Sequence, residues 1–140
     1  MRAMDSDDLT ERGFGGWFPF SHATERDLLA RLPKERGVYA ILLKDHVARR
    51  HGSSDVAYIG RAANQGGLRQ RIRQYFHPGH ENWTSLAMKA RISDPDAGLR
   101  LGFFVTDDAK QLESELLLQF ETEHGQLPSF NRQRSYGRAR

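Results

Sequence analysis

The sequence predicts an α+β domain in which a small three-stranded antiparallel sheet is flanked by helices. Apolar runs rich in strand-forming residues mark three strands, at 37–44, 56–62 and 99–107. Segments with apolar residues at helical spacing complete the order helix, strand, strand, helix, helix, strand, helix. A sheet covered by helices is the natural packing for that order.

Length and composition fit one domain. The chain has 140 residues, of which 38% are hydrophobic and 28% are charged. We expect a poorly ordered N-terminus over 1–13, a single domain over 14–134 and a basic tail over 135–140. No apolar run is long enough to cross a bilayer, and the acidic start lacks the basic region of a secretory signal. We therefore expect a cytoplasmic protein.

The first ordered element is predicted to be a helix over 24–32. Thr24 can cap it, Asp27 completes a variant of the capping box, and Pro33 ends it. Three aromatic residues precede this helix and are expected to fold back as a lid on the core: Trp17, Phe18 and Phe20.

The first two strands are expected to form a hairpin with a long polar loop over 45–55. A helix over 68–76 follows and ends ahead of Pro78. A second helix spans 83–92, before the third strand. The last helix is capped by Asp108, runs to His124 and stops at Gly125.

Arginines gather in two segments, and this clustering suits a polyanionic partner. The net charge is only +3, so its distribution is more informative than its sum. A solvated helix face followed by a basic tail would give the same pattern. The two sets are Arg61, Arg69, Arg71 and Arg73, and Arg132, Arg134, Arg138 and Arg140.

The chain has no cysteine, which excludes disulfides and thiolate zinc sites. Any metal must therefore be held by oxygen or imidazole ligands. Three histidines lack a second ligand pair at metal-binding spacing, so we interpret them as loop or capping residues: His77, His80 and His124.

Two tripeptides in the predicted hairpin stand out together, GVY at 37–39 and YIG at 58–60. They are followed by RA at 61–62, a short glycine-containing loop and the helix LRQRIRQYF, and later by LESELLLQFETEHGQLPSFN. This succession resembles the GIY-YIG nuclease superfamily over roughly residues 33–133, and within it the N-terminal nuclease domain of the bacterial excision-repair incision subunit. Several motifs in the right order are more specific than any one of them.

The resemblance implies an endonuclease that hydrolyses phosphodiester bonds in DNA with Mg²⁺ or Mn²⁺ as cofactor. Such a reaction needs a nucleophilic water, neutralised phosphoryl oxygens and a stabilised leaving group. We expect a monomer whose specificity is low or comes from a protein partner, the 45–55 loop or DNA shape. Roles in repair, in a mobile element, in restriction or as a toxin all stay open. The alternative is a catalytically silent DNA-binding module with the same fold.

Glu113 is the candidate metal ligand. It heads the apolar stripe of the last helix, because the residues three, four and seven positions later are apolar. Four positions after Glu115 lies Gln119, which fits a polar face, so Glu115 is the less favoured alternative. Mg²⁺ tolerates one hard oxygen ligand that leaves the remaining positions to water and phosphate. The resemblance implies a single glutamate near the start of this helix as the cation ligand.

Arg71 and Tyr75 lie one helical turn apart and are expected to face the strand that carries Tyr58. The guanidinium of Arg71 could clamp the scissile phosphate with two parallel hydrogen bonds. Without the motif, a surface arginine paired with a nearby acid is the simpler interpretation. The resemblance implies that Tyr75 contacts the phosphate.

Tyr39 and Tyr58 lie on paired strands and could converge on the attacking water. Arg61, three positions beyond Tyr58, could supply the positive charge that a phenol needs to act as a base. The family often has a lysine at this position. The resemblance implies Tyr58 as base or water-positioning group and Tyr39 as its hydrogen-bonding neighbour. Which tyrosine is the base stays open, and each could be a half-buried aromatic with a satisfied hydroxyl.

Asn131 closes the candidate set. The resemblance implies an asparagine that braces the site, whereas a turn residue is the alternative. The long segment from Tyr39 to Tyr58 and the stretched path from Glu113 to Asn131 depart from the better-known members. The candidate DNA contacts are Arg61, Arg69, Arg73 and Arg132.

Overall fold

The computed structural model describes residues 4–77, 83–94 and 96–131. In those ranges the strands are β1 Gly15–Pro19, β2 Gly37–Ala48, β3 Ser53–Ala62 and β4 Arg100–Val105. The helices are α1 Ser6–Glu11, α2 Glu25–Arg31, α3 Gly67–Phe76, α4 Trp83–Ile92 and α5 Ala109–His124. In this described part of the chain, no helix has the length and apolar character of a membrane span.

The sheet is antiparallel and has four strands in the order β1-β4-β2-β3, so the predicted number of three is wrong. The additional strand is β1, which contains two of the aromatics expected to form a lid. It pairs with β4, but the register shifts between Gly15 and Phe18, where Trp17 has φ 45°. This bulge breaks the alternation of apolar and polar residues by which a strand is recognised in a sequence.

The β2–β3 hairpin is longer than predicted and its turn is shorter. Pairing continues to Ala48 opposite Ser53, so the turn covers 49–52 instead of 45–55. Residues 44–48 of β2 are exposed, and Val47 is the large apolar side chain among them. A strand that projects into solvent carries no buried face, and its sequence therefore resembles a polar loop.

Residues 6–11 form α1, although the sequence predicts a poorly ordered segment there. Asp5 caps this helix by accepting hydrogen bonds from the backbone of its first turn. Met4 and Leu9 are completely buried in the core. Ser6 donates from its backbone N and its Oγ to the buried carboxylate of Asp55, at 2.9 and 2.6 Å. The predicted basic tail over 135–140 lies outside the described residues.

The predicted cap of α2 is also wrong. Thr24 precedes the helix, but its side chain makes no capping hydrogen bond. Its Oγ1 instead accepts from the backbone N of Ser21 at 3.0 Å and donates to the carbonyl of Pro19 at 2.9 Å. The hydroxyl therefore closes the turn before the helix. The predicted cap of α5 is wrong in the same way, because Asp108 precedes the helix but its side chain makes no capping hydrogen bond. By contrast, Gly125 ends α5 with φ 75°, as predicted.

The sheet separates two apolar layers. Side chains alternate along β2, so Tyr39 and Ile41 belong to the layer that contains α3, whereas Val38 and Ala40 belong to the layer that contains α5. We call these two sides the α3 face and the α5 face. The strand β3 lies at one edge of the sheet and borders both layers.

His124 joins three separate segments at the end of α5. Its ring is completely buried and lies against Phe120, with the ring centroids 4.3 Å apart. Nδ1 is 2.8 Å from the carbonyl oxygen of His51 in the hairpin turn, and Nε2 is 3.0 Å from that of Met4. The side chain thus attaches the N-terminal segment and the hairpin to the last helix.

His124→Ala is expected to lower the free energy of unfolding by about 2–4 kcal/mol, because it removes the polar contacts of the ring with two backbone carbonyls and leaves a cavity beside Phe120. Urea unfolding followed by circular dichroism measures this change. His46→Ala, which removes an exposed side chain, should change stability by less than about 0.5 kcal/mol. Equal stability of the two variants would contradict the anchoring role of His124.

Candidate active site

The glycines of the two tripeptides lie at positions where any side chain would collide with neighbouring atoms. Gly60 lies opposite Tyr39 across the β2–β3 ladder. A Cβ at Gly60 would be 2.6 Å from Cζ of Tyr39 and 2.6 Å from Cε2 of Tyr58. A Cβ at Gly37 would collide with the carbonyl oxygen of Phe104 on β4. Gly60 therefore makes room for two tyrosine rings, and Gly37 lets β4 approach closely.

Three tyrosines and an arginine form one cluster on the α3 face. The hydroxyls of Tyr39 and Tyr75 are 2.7 Å apart, and the rings of Tyr39 and Tyr58 have centroids 5.9 Å apart. Arg71 donates from Nε to the hydroxyl of Tyr39 at 3.3 Å. Its guanidinium also lies over the ring of Tyr75, 5.5 Å from the centroid. The structure thus brings these four candidate residues together.

Burial decides the protonation of this cluster. Removal from water raises the pKa of Tyr39, and the neighbouring phenol of Tyr58 raises it further. Burial likewise raises the pKa of Tyr75, with the phenol of Tyr39 as the next cause. Contact with Tyr39 raises the pKa of the Arg71 guanidinium. Tyr39 and Tyr75 therefore stay neutral and Arg71 stays charged, whereas Tyr58 is the half-buried member with access to solvent.

Glu113 and Arg61 form an ion pair on the α5 face. Arg61 donates from Nη1 to Oε1 of Glu113 at 2.7 Å. The side chain of Glu113 is 9% exposed and that of Arg61 is 37% exposed. Glu115 is exposed and accepts a hydrogen bond from Gln111 at 3.2 Å. Glu113 is thus the carboxylate that points inward, as helical spacing predicts.

The position of Arg61 differs from the expectation. Arg61 lies opposite Val38, whose side chain is on the α5 face, whereas Tyr58 packs in the α3 layer. Because successive side chains point to opposite faces of a strand, residues three positions apart cannot share a face. The charge of Arg61 is therefore directed to Glu113 and not to Tyr58. This alternation is the signal that sequence reasoning missed.

Asn131 binds the outer edge of β3 at Ile59. Its Oδ1 accepts from the backbone N of Ile59 at 3.0 Å, and its Nδ2 donates to the carbonyl of Ile59 at 2.9 Å. The preceding residue, Phe130, donates its backbone N to the carbonyl of Ala57 at 2.8 Å. These bonds occupy the open edge of β3 on both sides of Tyr58. The segment before Asn131 therefore fixes the backbone that carries this tyrosine.

The predicted DNA-binding arginines have different surroundings. Arg69 donates from Nε to the carbonyl of Leu32 at 2.8 Å, so it ties α3 to the end of α2. Arg73 is exposed on α3. Arg132 lies outside the described residues.

A divalent cation has one carboxylate to bind at this site. Among residues 4–77, 83–94 and 96–131, no three histidine, aspartate or glutamate side chains come together as a ligand set. A single carboxylate fits a hard cation that keeps water and substrate oxygens as its other ligands, and it does not fit the closed ligand set of structural zinc. Glu113 would hold Mg²⁺ or Mn²⁺ in this way.

Solved structures of one nuclease domain are similar to this chain. The magnesium-bound GIY-YIG N-terminal endonuclease domain of UvrC from Thermotoga maritima is 23% identical, with a TM-score of 0.47, over 78% of this chain and 97% of that chain. A point mutant of that domain, bound to its catalytic divalent cation, is 22% identical, with a TM-score of 0.48, over 79% and 97%. No protein-family model matches the sequence, and none of the curated proteins matches it. The likeness concerns the fold, and the chemistry rests on this chain's own residues.

Gly60→Ala is expected to displace the rings of Tyr39 and Tyr58 and to lower stability by about 1–3 kcal/mol, because the added methyl occupies their space. Near-ultraviolet circular dichroism reports the tyrosine environment, and urea unfolding reports stability. Gly15→Ala is the matched control, since a Cβ there meets no atom within 4 Å. Identical spectra for Gly60→Ala and the parent would contradict this packing.

Alkaline pH is expected to destabilise the fold through Tyr39 and Tyr75. Their pKa is raised by folding, so their contribution is fully present below the unfolded value of about 10 and is lost as the pH rises above it. Tyr39→Phe and Tyr75→Phe should each reduce the decline of the unfolding free energy with pH. Urea titrations at neutral pH and above pH 10 measure that slope. A slope unchanged by both substitutions would contradict the assignment.

Proposed function

We propose that this protein is a metal-dependent endonuclease that hydrolyses phosphodiester bonds in DNA. One observation carries the proposal: Tyr58 of the edge strand β3 packs in the cluster of Tyr39, Arg71 and Tyr75 on one face of the sheet, and Arg61 of the same strand pairs with Glu113 on the other face. The proposed phosphodiester lies along β3 at its YIG end, beyond the part of the edge that residues 130 and 131 occupy, and meets both groups there.

Arg71 is the proposed phosphate clamp. Its Nε bonds to the hydroxyl of Tyr39 and its Nη1 donates to Gln74 at 3.0 Å, which leaves three N–H donors for phosphoryl oxygens. Its raised pKa keeps the positive charge in place as negative charge develops on the phosphate. The buried hydroxyl of Tyr39 and the ring of Tyr75 position this guanidinium.

Tyr58 is the proposed water-positioning group. It is the half-buried member of the tyrosine cluster, and its neighbours stay neutral. A phenol that faces solvent beside a clamped phosphate can hold and orient the attacking water by a hydrogen bond. Asn131 acts through the backbone of Ile59 as a positioning residue.

Glu113 is the proposed ligand of Mg²⁺ or Mn²⁺. A cation bound there would supply neutralisation of the phosphoryl oxygens and of the departing alkoxide. The exposed Arg73, and Arg132 beyond the described residues, are proposed to contact the flanking DNA backbone. A cytoplasmic location, a monomeric state and a partner that supplies specificity stay predictions of the sequence.

A DNA-binding module without catalysis is the second candidate. The ion pair favours it in one respect, because Arg61 already neutralises the carboxylate that would hold the cation. Such a module would bind DNA with an affinity that falls with salt and does not depend on Mg²⁺. Electrophoretic mobility shifts with and without Mg²⁺, over a range of salt concentrations, separate this function from cleavage.

The purified protein is expected to nick or linearise supercoiled plasmid with Mg²⁺ and to stop when EDTA is added. Glu113→Gln and Arg71→Gln should each reduce the rate by about 10²–10³, because each removes a group that stabilises charge in the transition state. Arg31→Gln, which removes a charge from the exposed pair with Asp27 on α2, is the matched control and should cleave like the parent.

Three outcomes would contradict this proposal or one of its assignments. Cleavage by Glu113→Gln and Arg71→Gln at the parent rate would show that these residues do not carry the reaction. DNA binding without cleavage, in a folded protein supplied with Mg²⁺ or Mn²⁺, would favour the silent module. Loss of activity in Glu115→Gln together with an active Glu113→Gln would assign the cation to the exposed carboxylate.

A further inference from the structure

The carboxylate of Glu113 is covered by an arginine. Oε1 accepts from Nη1 of Arg61 at 2.7 Å, and the carboxylate side chain is far less exposed than the guanidinium side chain. The arginine is therefore the member of the pair that can turn toward solvent while the glutamate remains in place. Helix α5 holds the carboxylate, because the residues that follow Glu113 on its inner face are buried.

A divalent cation and this guanidinium compete for the same carboxylate. An arginine side chain does not lose its proton in proteins, so Arg61 cannot become neutral when a cation arrives. Two positive groups on one partly buried carboxylate repel each other more strongly than they would in water. Arg61 therefore has to leave Glu113, or the cation binds weakly.

A phosphate offers Arg61 a new partner. Guanidinium groups bind phosphate oxygens with two parallel hydrogen bonds, which replace those lost at a carboxylate. Arg61 lies on β3, the edge strand along which we propose that the phosphodiester binds, and more than a third of its side chain reaches solvent. A swing of the flexible side chain from Glu113 to DNA requires no movement of the strand.

We infer that Arg61 is a counter-ion gate: its ion pair with Glu113 lowers the affinity of the free protein for a divalent cation, and a DNA phosphate opens the site by drawing the guanidinium away. This inference rests on the proposed function, since it takes Glu113 as the cation ligand and DNA as the substrate. By thermodynamic linkage, DNA raises the affinity for the cation and the cation raises the affinity for DNA by the same factor. The gate would keep the site without a cation until substrate is present.

The first test measures Mn²⁺ binding to the free protein by the electron paramagnetic resonance signal of unbound Mn²⁺. Arg61→Gln is expected to bind Mn²⁺ about tenfold more tightly than the parent, because the adjacent positive charge is gone. Glu113→Gln should abolish this binding, both in the parent protein and in the Arg61→Gln variant. Arg31→Gln, which removes the same charge from an exposed pair, should bind like the parent. Equal or weaker binding by Arg61→Gln would overturn the gate.

The second test adds a short DNA duplex to a Tyr58→Phe background, in which the proposed water-positioning hydroxyl is absent. In that background the duplex should tighten Mn²⁺ binding. The Mn²⁺ that DNA itself binds is measured in a mixture of DNA and the Glu113→Gln variant and is subtracted. The added substitution Arg61→Gln should reduce the gain to the part that phosphate oxygens supply as direct ligands of the cation, because the site is already open. A gain of the same size with and without Arg61 would overturn the coupling.

A measurement on the parent protein guards against a variant that fails to fold. The side-chain Nε resonance of Arg61 should move when Mg²⁺ is added, because the guanidinium leaves Glu113. Saturation with Mg²⁺ without any change at Arg61 would overturn the gate. Plasmid cleavage is scored separately. Tighter Mn²⁺ binding by Arg61→Gln in a protein that does not cut DNA would support the gate at Glu113 and refute the nuclease.

Discussion

The alternation of side chains along β3 is the constraint on which the candidate site depends. Tyr58 and Arg61 are three positions apart, so one enters the α3 layer and the other meets Glu113 on the α5 face. A one-residue slip in the pairing with β2 would exchange their faces. Asn131 holds the outer edge of the strand at Ile59, and the ladder with β2 holds the inner edge. The hydrogen bonds at both edges fix the register of β3, and this register keeps the tyrosine cluster and the ion pair of Arg61 with Glu113 on opposite faces of the sheet.

The site consists of buried polar groups that satisfy one another. Tyr39 and Tyr75 share a hydrogen bond, Arg71 donates to Tyr39, and Glu113 is paired with Arg61. A buried polar group without a partner destabilises a fold, so these contacts are structural as well as chemical. The same contacts set the charges: burial keeps the two inner phenols neutral, and contact with a phenol keeps the guanidinium protonated. Protonation at this site is therefore a property of the packing.

The parts of the fold that follow from local rules were predictable. Apolar residues at helical spacing predicted α3, α4 and α5 nearly to the residue, and Gly125 ends α5 as expected. The failures have identifiable physical causes. A bulge at Trp17 hides the period of β1, the distal half of the hairpin has no buried face, and α1 is too short and acidic to be recognised without its contacts to the core. In each case tertiary contacts stabilise an element whose own pattern is weak.

The sequence by itself determined the chemical types of the site and their order along the chain: three phenols, two guanidinium groups, an inward-facing carboxylate and an asparagine. It also favoured Glu113 over Glu115 as the inward-facing carboxylate, because helical spacing needs only local geometry, and the structure confirms that orientation. Only the tertiary structure decided which of these groups meet. Whether Arg61 reaches Tyr58 or Glu113 depends on the face of a strand and on the helix that covers it, and such contacts arise between segments distant in the chain. The alternation of side chains gives the face, and packing alone gives the neighbour.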